Sequence, residues 1–349
     1  MITLLVFMVV FSVIIFAHEF GHFIVGKLAR VRVDEFGFGY PPRLFTIGTW
    51  GGTTYTINVI PIGGFVKMGE DDPSRPDSLA SKSMGIRALA FFAGSFMNLV
   101  LAIICYIVVA LLGQQYLVGQ VVIEEIVPDS PAAMAQLQVG DEIVAINDHI
   151  VQNNWDLRQA TQMAAGEKVS LTVRRNGERL TVSLVPRTQY PAGQGPMGVT
   201  IGLRNPKAVT IRYSIWEAIP ISLQRSWQTL TLIVEGIAGM IRGTIPPDVT
   251  GPIGLFQVTG EVARSGFSNL LELMALISIN LFLVNLLPFP PLDGGHLLFI
   301  ALEALRGKRI EPQREGLVHF VGMVILLILM LLISYQDLLR LIRGDSVLP

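Results

Sequence analysis

Four long apolar runs dominate the pattern of hydrophobic and polar positions along this chain. They cover residues 2–25, 88–112, 273–291 and 316–336. A transmembrane α-helix needs roughly 20 apolar residues, and each run is close to that length. No small-x-small cleavage pattern follows the first run, so we expect it to be retained rather than removed as a signal peptide. The pattern predicts a polytopic α-helical membrane protein with four transmembrane helices.

Lysine and arginine between the apolar runs predict how these helices are oriented. Basic residues are concentrated in the loop after the first run and in the loop between the third and fourth runs. Cytoplasmic loops of multi-pass proteins carry such an excess. We therefore predict a protein of the bacterial cytoplasmic (inner) membrane with both of these loops in the cytoplasm. Both termini and the long segment after the second run are then extracytoplasmic.

The first cytoplasmic loop has the pattern of a β-hairpin. Two β-like runs, residues 44–47 and 54–60, lie on either side of Gly51-Gly52. Residues 61–68, which follow directly, are also unusually apolar for a cytoplasmic loop. This pattern predicts a membrane-associated, re-entrant β-hairpin on the cytoplasmic side, whose backbone must be covered by protein or line a wet cavity.

The segment after the second run predicts a mixed α/β domain. Short β-like runs alternate with turn signals between about residues 118 and 203. The strings PDSPAA at 128–133 and VGDEI at 139–143 resemble a circularly permuted bacterial PDZ domain. Such domains bind extended peptides, and peptide C-termini are candidate ligands, as a strand added to a sheet edge. A domain without a ligand is the alternative. The edge is predicted at Met197, Gly198, Val199, Thr200 and Ile201.

Residues 213–242 have apolar positions at three- and four-residue spacing, two tryptophans and a polar opposite face. This is typical of an amphipathic helix that lies in the membrane interface. A helix that packs on the PDZ-like domain fits the same pattern. Glu235 interrupts the short apolar part, so we do not predict a fifth span here.

Candidate chemistry is concentrated in the string His18-Glu19-Phe20-Gly21-His22 of the first run. Helical residues four apart lie about 40° apart around the axis, so both imidazoles can bind one metal ion. The glutamate between them can take the proton of a metal-bound water. Charged groups inside an apolar run are costly and usually functional. A polar trio that only bonds helices together is the alternative to a zinc site.

A catalytic zinc ion normally has a third protein ligand. Asp293 is the favoured candidate. Three prolines just before it must break the third span, and a broken helix inside a membrane is tolerated where it lines a cavity. Both His18 and Asp293 are expected in the inner half of the membrane, since each lies near the end of a span that runs inward. His296, three residues further on, is the alternative ligand.

Composition excludes several classes of protein. Only 15% of the residues are charged, against about 25% in soluble domains. The 26 basic and 27 acidic residues lack the basic excess of a nucleic-acid-binding protein, so we predict the lipid bilayer and no nucleic acid as partner. The single cysteine, Cys105, excludes an internal disulfide and a cysteine-rich zinc site.

An ion transporter would be expected to show internal repeats, and we find none.

The combination of these features resembles the site-2 protease family. HExxH lies in the first span, LDGG lies at residues 292–295, and a PDZ-type insert separates the second and third spans. The nearest branch is the bacterial regulator-of-sigma-E-type intramembrane zinc metalloproteases. Residues 63–68, 94–98 and 251–254 also match that branch. The best-known members carry two tandem PDZ domains, whereas this chain has room for a single one.

The resemblance implies a role for each candidate residue. His18, His22 and Asp293 would bind Zn²⁺, and Glu19 would be the general base. Asn285 would contact the substrate or stabilise the oxyanion. A substrate strand would be added at the hairpin edge formed by Gly63, Gly64, Phe65 and Val66. Asn285 and Asn98 also suit simple hydrogen bonding between helices.

The resemblance also implies substrates and a pathway. The substrates would be single-pass transmembrane proteins, such as anti-sigma factors or remnant signal peptides, cut after another protease has shortened them. The alternative function is a non-catalytic membrane PDZ scaffold or regulator.

The predicted organisation divides the chain into eight parts. Residues 1–27 form the first transmembrane helix with HExxH, 28–86 the cytoplasmic loop with the hairpin, 87–113 the second transmembrane helix, 114–204 the PDZ domain, 205–267 the amphipathic helix and a linker, 268–300 the third, proline-broken transmembrane helix with LDGG, 301–315 a cytoplasmic loop, and 316–349 the fourth transmembrane helix with a C-terminal tail.

Overall fold

A computed structural model describes residues 2–68, 75–147, 149–191, 194–244 and 250–343. The chain forms two compact units. Gly113–Arg212 is one of them and is called the inserted domain below. The residues up to Leu112 and from Tyr213 onward form the other, called the helical unit.

The elements follow one another in this order. The helical unit begins with α1 (Ile2–Leu28), β1 (Val33–Trp50), β2 (Thr53–Met68) and α2 (Met84–Leu112). The inserted domain contains β3 (Gln114–Ile126), α3 (Pro131–Met134), β4 (Glu142–Ile146), β5 (His149–Ile150), α4 (Asn154–Met163), β6 (Val169–Arg175), β7 (Glu178–Leu184) and β8 (Val199–Ile211). The helical unit resumes with α5 (Ile215–Ile241), α6 (Pro252–Ser265), α7 (Phe267–Asn285), α8 (Asp293–Arg306) and α9 (Pro312–Arg343).

Four of the described helices are long and apolar enough to cross a membrane. They are α1, α2, α7 and α9, in agreement with the four spans predicted from the sequence. α5 lies where the amphipathic helix was predicted, and it begins with a capping box between Ser214 and Glu217. α6 lies within the stretch predicted as a linker. Pro252 is its first residue, a position where the amide hydrogen that proline lacks would have no partner within the helix.

The third predicted span consists of two helices rather than one. α7 ends at Asn285 and α8 begins at Asp293, because the prolines between them cannot continue a helix. α8 then runs on into the segment predicted as a loop. It ends at Gly307, which adopts the left-handed conformation (φ 66°) that commonly terminates helices.

α1, α2 and α7 pack against one another in the helical unit. α1 and α2 approach closely at Gly21, where an added Cβ would overlap the carbonyl group of Ala93. α2 and α7 share a small buried cluster that includes Val109 and Ile279. Most apolar side chains of α9 are exposed, as expected of a helix that faces lipid.

β1 and β2 fold into a four-segment antiparallel sheet. The first half of β1 lies in the middle, because Glu35 pairs with Thr54 on one side and with Lys67 on the other. Residues 63–68 therefore form one outer edge, called the outer β2 segment. Ser12 of α1 anchors it, donating to the carbonyl oxygen of Pro61 (2.9 Å) and accepting from the amide of Gly63 (3.2 Å). β1 starts at Val33, earlier than the predicted start at residue 44. The sequence pattern misses the first part of the strand because glycines and prolines obscure the alternation of apolar and polar positions.

The inserted domain is a twisted antiparallel sheet with two short helices. Its strand order is β7-β6-β4-β3-β8, and β5 pairs with β4. Val121, Ile143 and Leu171 are fully buried in its core. Asp141 is also buried, and both of its carboxylate oxygens accept hydrogen bonds of 2.7 Å from the Arg175 guanidinium. β8 is at the edge of this sheet, so one of its sides is open to a further strand.

Candidate metal centre

The two histidines of the HExxH string face the same point in space. Both are on α1, and their Nε2 atoms lie 3.2 Å apart. Four residues of helix separate them, which places their rings on one side of α1. His22 is buried and His18 nearly so. The pair thus presents two aromatic nitrogens to one small volume inside the helical unit.

Asp293 completes a group of three donors. Its Oδ2 lies 3.4 Å from Nε2 of His18, and its Oδ1 lies 3.6 Å from Nε2 of His22. Ligand atoms about 2.0–2.1 Å from a tetrahedral zinc ion are about 3.3–3.4 Å from one another. The two imidazole nitrogens lie at about that separation, and each of them has one carboxylate oxygen of Asp293 at 3.4–3.6 Å, so the three residues fit a zinc ion. His296, the alternative third ligand, is not in this group and lies beside Glu315 and His319.

Neighbouring groups orient the ligands. Nδ1 of His22 lies 2.8 Å from the carbonyl oxygen of Ala90, so Nδ1 carries the hydrogen and Nε2 keeps its lone pair for the metal. The hydroxyl of Ser95 donates to Oδ2 of Asp293 at 3.1 Å. Gly94 lies directly against His22, since an added Cβ there would overlap the imidazole.

Two asparagines surround the other nitrogen of His18. Nδ2 of Asn98 lies 3.4 Å and Nδ2 of Asn285 lies 3.5 Å from Nδ1 of His18. Asn98 is fully buried, and its Oδ1 has no hydrogen-bond partner in the part of the chain that the structure describes. A 180° turn of this amide brings Oδ1 to the place where it accepts the Nδ1 hydrogen of His18. Asn98 thus suits the task of fixing the tautomer of His18.

Glu19 lies outside the group of three donors, next to the outer β2 segment. Its Oε2 accepts a hydrogen bond of 3.2 Å from the backbone amide of Val66. Gly64, Phe65 and Val66 pair with residues of β1 on their inner side, which leaves them at the sheet edge. The structure therefore brings the predicted base and the predicted substrate edge into contact.

The predicted peptide edge of the inserted domain borders a cavity of about 460 Å³. The cavity lies between β8 and α4, whose Leu157 and Thr161 form the opposite wall. All five predicted edge residues line it: Met197, Gly198, Val199, Thr200 and Ile201.

Sequence reasoning did not single out Ala90, Gly94 and Ser95 as parts of the site. Gly94 and Ser95 belong to the string at 94–98 that resembles the family, and they are small residues close to Asn98 in the sequence. Their signal is small residues inside a long apolar run, which mark close helix contacts in membranes. Which partner they contact depends on the packing of α2 against α1 and α8.

Two histidines and a carboxylate at tetrahedral spacing, with a glutamate beside them, define a metallopeptidase centre. Here both histidines lie on α1, a helix of transmembrane length, and the carboxylate begins the shorter helix α8. Residues 6–329 match the model of peptidase family M50, and the chain belongs to this family. It is a zinc metalloprotease and a multi-pass membrane protein, as the sequence predicted.

Relatives that match over nearly their whole length carry zinc metalloprotease names. Zinc metalloprotease RasP of Oceanobacillus iheyensis is 30% identical, with 98% of this chain and 100% of the relative covered. The RasP protein of Geobacillus kaustophilus is 29% identical over 95% of this chain and 96% of its own. Among solved structures, the PDZ domain of the SdrC-like protein from Listeria monocytogenes matches 24% of this chain and 86% of its own, with a TM-score of 0.22 and 18% identity.

Proposed function

We propose that this chain is a site-2 protease that hydrolyses peptide bonds within transmembrane segments of single-pass membrane proteins. The observation that carries the proposal is the spacing of His18, His22 and Asp293, 3.2–3.6 Å between their nearest donor atoms, with both histidines on a helix of membrane-spanning length. Peptide hydrolysis inside the membrane needs water, so the proposal includes a water-filled cavity that connects the centre to the cytoplasmic side.

Each residue of the centre has a distinct task in this proposal. His18, His22 and Asp293 hold the zinc ion. The bound zinc supplies a Lewis acid that lowers the pKa of water and polarises the scissile carbonyl group. Glu19 takes a proton from the attacking water at a carboxylate oxygen and passes it to the leaving nitrogen. Asn285, whose amide lies 3.5 Å from Nδ1 of His18, would donate to the carbonyl oxygen of a bound substrate.

The outer β2 segment holds the substrate in this proposal. A transmembrane helix hides its peptide groups in internal hydrogen bonds, so the substrate must unwind before it is cut. An unwound stretch that pairs as a strand with residues 63–66 regains part of those hydrogen bonds. The hydrogen bond from Val66 to Glu19 supports this arrangement, because it sets the general base beside the added strand. The β1–β2 sheet is the re-entrant element of this proposal and lies on the cytoplasmic side.

The inserted domain belongs to the extracytoplasmic side and recognises substrates as a PDZ domain. The cavity between β8 and α4 fits an added peptide strand, and the open edge of β8 supplies its backbone partners. A peptide C-terminus created by an earlier protease is the ligand we propose. Anti-sigma factors and remnant signal peptides are the substrate classes, and the inner membrane is the location.

Labelling tests this orientation. Cysteines introduced at Gly177, in the β6–β7 turn, and at Lys308, between α8 and α9, are treated with a membrane-impermeant maleimide on intact spheroplasts. We expect label at position 177 alone, and label at 308 after lysis. Label at 308 before lysis would contradict the orientation.

A cleavage assay in cells tests the activity. It combines a tagged, shortened single-pass substrate with the native chain, with Glu19→Gln or with Glu261→Gln, an exposed glutamate of α6. We expect a smaller product from the native chain and from Glu261→Gln, and none from Glu19→Gln at equal expression and equal zinc content. Equal product with Glu19→Gln would show that Glu19 is not the base.

A further inference from the structure

A second group of metal-ligand side chains lies outside the catalytic centre. It consists of His296 on α8 and of Glu315 and His319 on α9. Oε1 of Glu315 lies 3.3 Å from Nδ1 of His296 and 3.9 Å from Nε2 of His319. One donor atom from each of the three residues lies within 4.8 Å of the others. Glu315 and His319 are four residues apart on one helix, and His296 comes from another.

The contacts of His319 leave the hydrogen-bonding capacity of its imidazole ring unexplained. Its side chain is 13% exposed, and neither ring nitrogen has a hydrogen-bond partner within the described residues. Buried polar groups are almost always satisfied, so an orphaned imidazole calls for a ligand. A metal ion bound at Nε2 would satisfy one nitrogen.

Aromatic rings and a cavity surround this group. The ring of His296 stacks between Phe91 (centroids 4.3 Å apart) and His319 (4.0 Å). A cavity of about 270 Å³ borders all three ligand residues. Waters in that cavity can complete the coordination of an ion.

From this geometry we infer that His296, Glu315 and His319 form a second metal site, distinct from the catalytic centre. Two imidazoles and one carboxylate favour zinc and similar transition metals over magnesium and calcium. Oε1 of Glu315 and Nε2 of His319 must close by about half an ångström to reach the separations of about 3.3–3.4 Å in a tetrahedral zinc site. The ring of His296 must also turn out of its stack with His319, because a bound ion lies in the plane of each imidazole. His296 is 30% exposed and can make that adjustment.

An ion here would join the start of α9 to α8. α9 is the least buried of the four described helices of membrane-spanning length. His296 follows the catalytic ligand Asp293 by one helical turn. Metal at the second site would therefore hold the helix that carries Asp293 and the most weakly packed span together.

Zinc content of the purified full-length chain tests the inference, in a Glu19→Gln background that removes peptidase activity from the readout. The chain is stripped with a chelator in detergent, reloaded with Zn²⁺ alone, desalted and measured by elemental analysis. We expect two zinc ions per chain in this background and after Glu311→Gln, a matched and exposed glutamate at the start of α9. We expect one after Glu315→Gln, one after Asp293→Asn, and none after both changes together.

The remaining catalytic ion reports that the Glu315→Gln chain has folded, so loss of one ion is not unfolding. The same zinc content in the Glu315→Gln and Glu311→Gln chains would overturn the inference. Since no step uses activity, a failed second site leaves the proposed protease function untouched.

Discussion

The backbone amide of Val66 donates to Oε2 of Glu19 across 3.2 Å, joining the edge of a β-sheet to the glutamate of the HExxH string. In this protein a hydrogen bond joins the proposed substrate-binding edge to the proposed general base. A substrate strand added at this edge, as we propose, would have its peptide groups beside Glu19, which is the positioning that hydrolysis needs.

Gly94→Ala tests the close approach of α2 to the metal centre. A methyl group at this position overlaps the imidazole of His22, so we expect the ring to be displaced and zinc to be lost. Zinc affinity should fall by at least 10–100-fold, the range seen when a contact that orients a ligand is removed. The measurement is zinc retained against a competing chelator.

Gly85→Ala is the matched control for this change. Gly85 is near the start of the same helix, and a Cβ there meets no atom within 4 Å. We expect unchanged zinc affinity, because the added methyl group touches nothing. Equal zinc loss in both variants would contradict the steric argument.

Asn98→Leu removes the group that we place against Nδ1 of His18. The leucine is similar in size but cannot accept the Nδ1 hydrogen, so zinc affinity should fall about 10–100-fold while the helices stay packed. Chelator competition measures the affinity, and thermal unfolding checks the packing. Asn280→Leu, an exposed position on α7, should leave zinc affinity unchanged. If Asn98→Leu binds zinc normally, Asn98 does not orient His18.

Asp337→Asn tests how α9 is attached to α6. The buried carboxylate of Asp337 accepts from the amides of Gly254 (2.8 Å) and Gly251 (3.3 Å) at the start of α6. A neutral amide accepts these bonds less well and also brings an NH₂ group without a partner, which costs about 1–3 kcal/mol. We expect a lower thermal midpoint in detergent. Gln336→Ala, an exposed neighbour, should leave the midpoint unchanged, and equal shifts in both variants would refute the attachment.

The inserted domain should lose stability in acid through Asp141. Burial opposes ionisation of this carboxyl group, but the Arg175 guanidinium and the Gln138 amide outweigh it and lower its pKa. A carboxyl group with a lowered pKa stabilises the folded state above its unfolded pKa of about 3.9, and this contribution is lost as the pH falls. Asp141→Asn should therefore destabilise by about 2 kcal/mol at pH 7.

Thermal unfolding of the full chain between pH 7 and pH 3 measures this effect. The difference between the native chain and Asp141→Asn should shrink as the pH falls through the lowered pKa of Asp141. Asp129→Asn, an exposed aspartate of the same domain, should show no such difference at either end of the range. A difference that stays constant with pH would contradict the role of the charge.

Much of this protein follows from local sequence. Transmembrane spans can be recognised in the sequence because a run of about 20 apolar residues has the length and composition of a helix that crosses a membrane. The two histidines share a face because four residues make about one helical turn, whatever the helix packs against. The break before Asp293 follows from the prolines, which cannot supply amide hydrogens to a helix. These features depend on neighbours along the chain.

Tertiary structure decided what local pattern left open. Asp293 and His296 were both candidate ligands, and the packing of α8 places Asp293 with the two histidines and His296 beside Glu315 and His319. The full extent of β1 and its second pairing partner came from the folded sheet, since pairing is a contact between distant residues. The same holds for Gly94 against His22 and for Val66 against Glu19. A sequence lists the groups that a site can use, but distances of 3 Å between residues far apart in the chain exist only once helices and strands have packed.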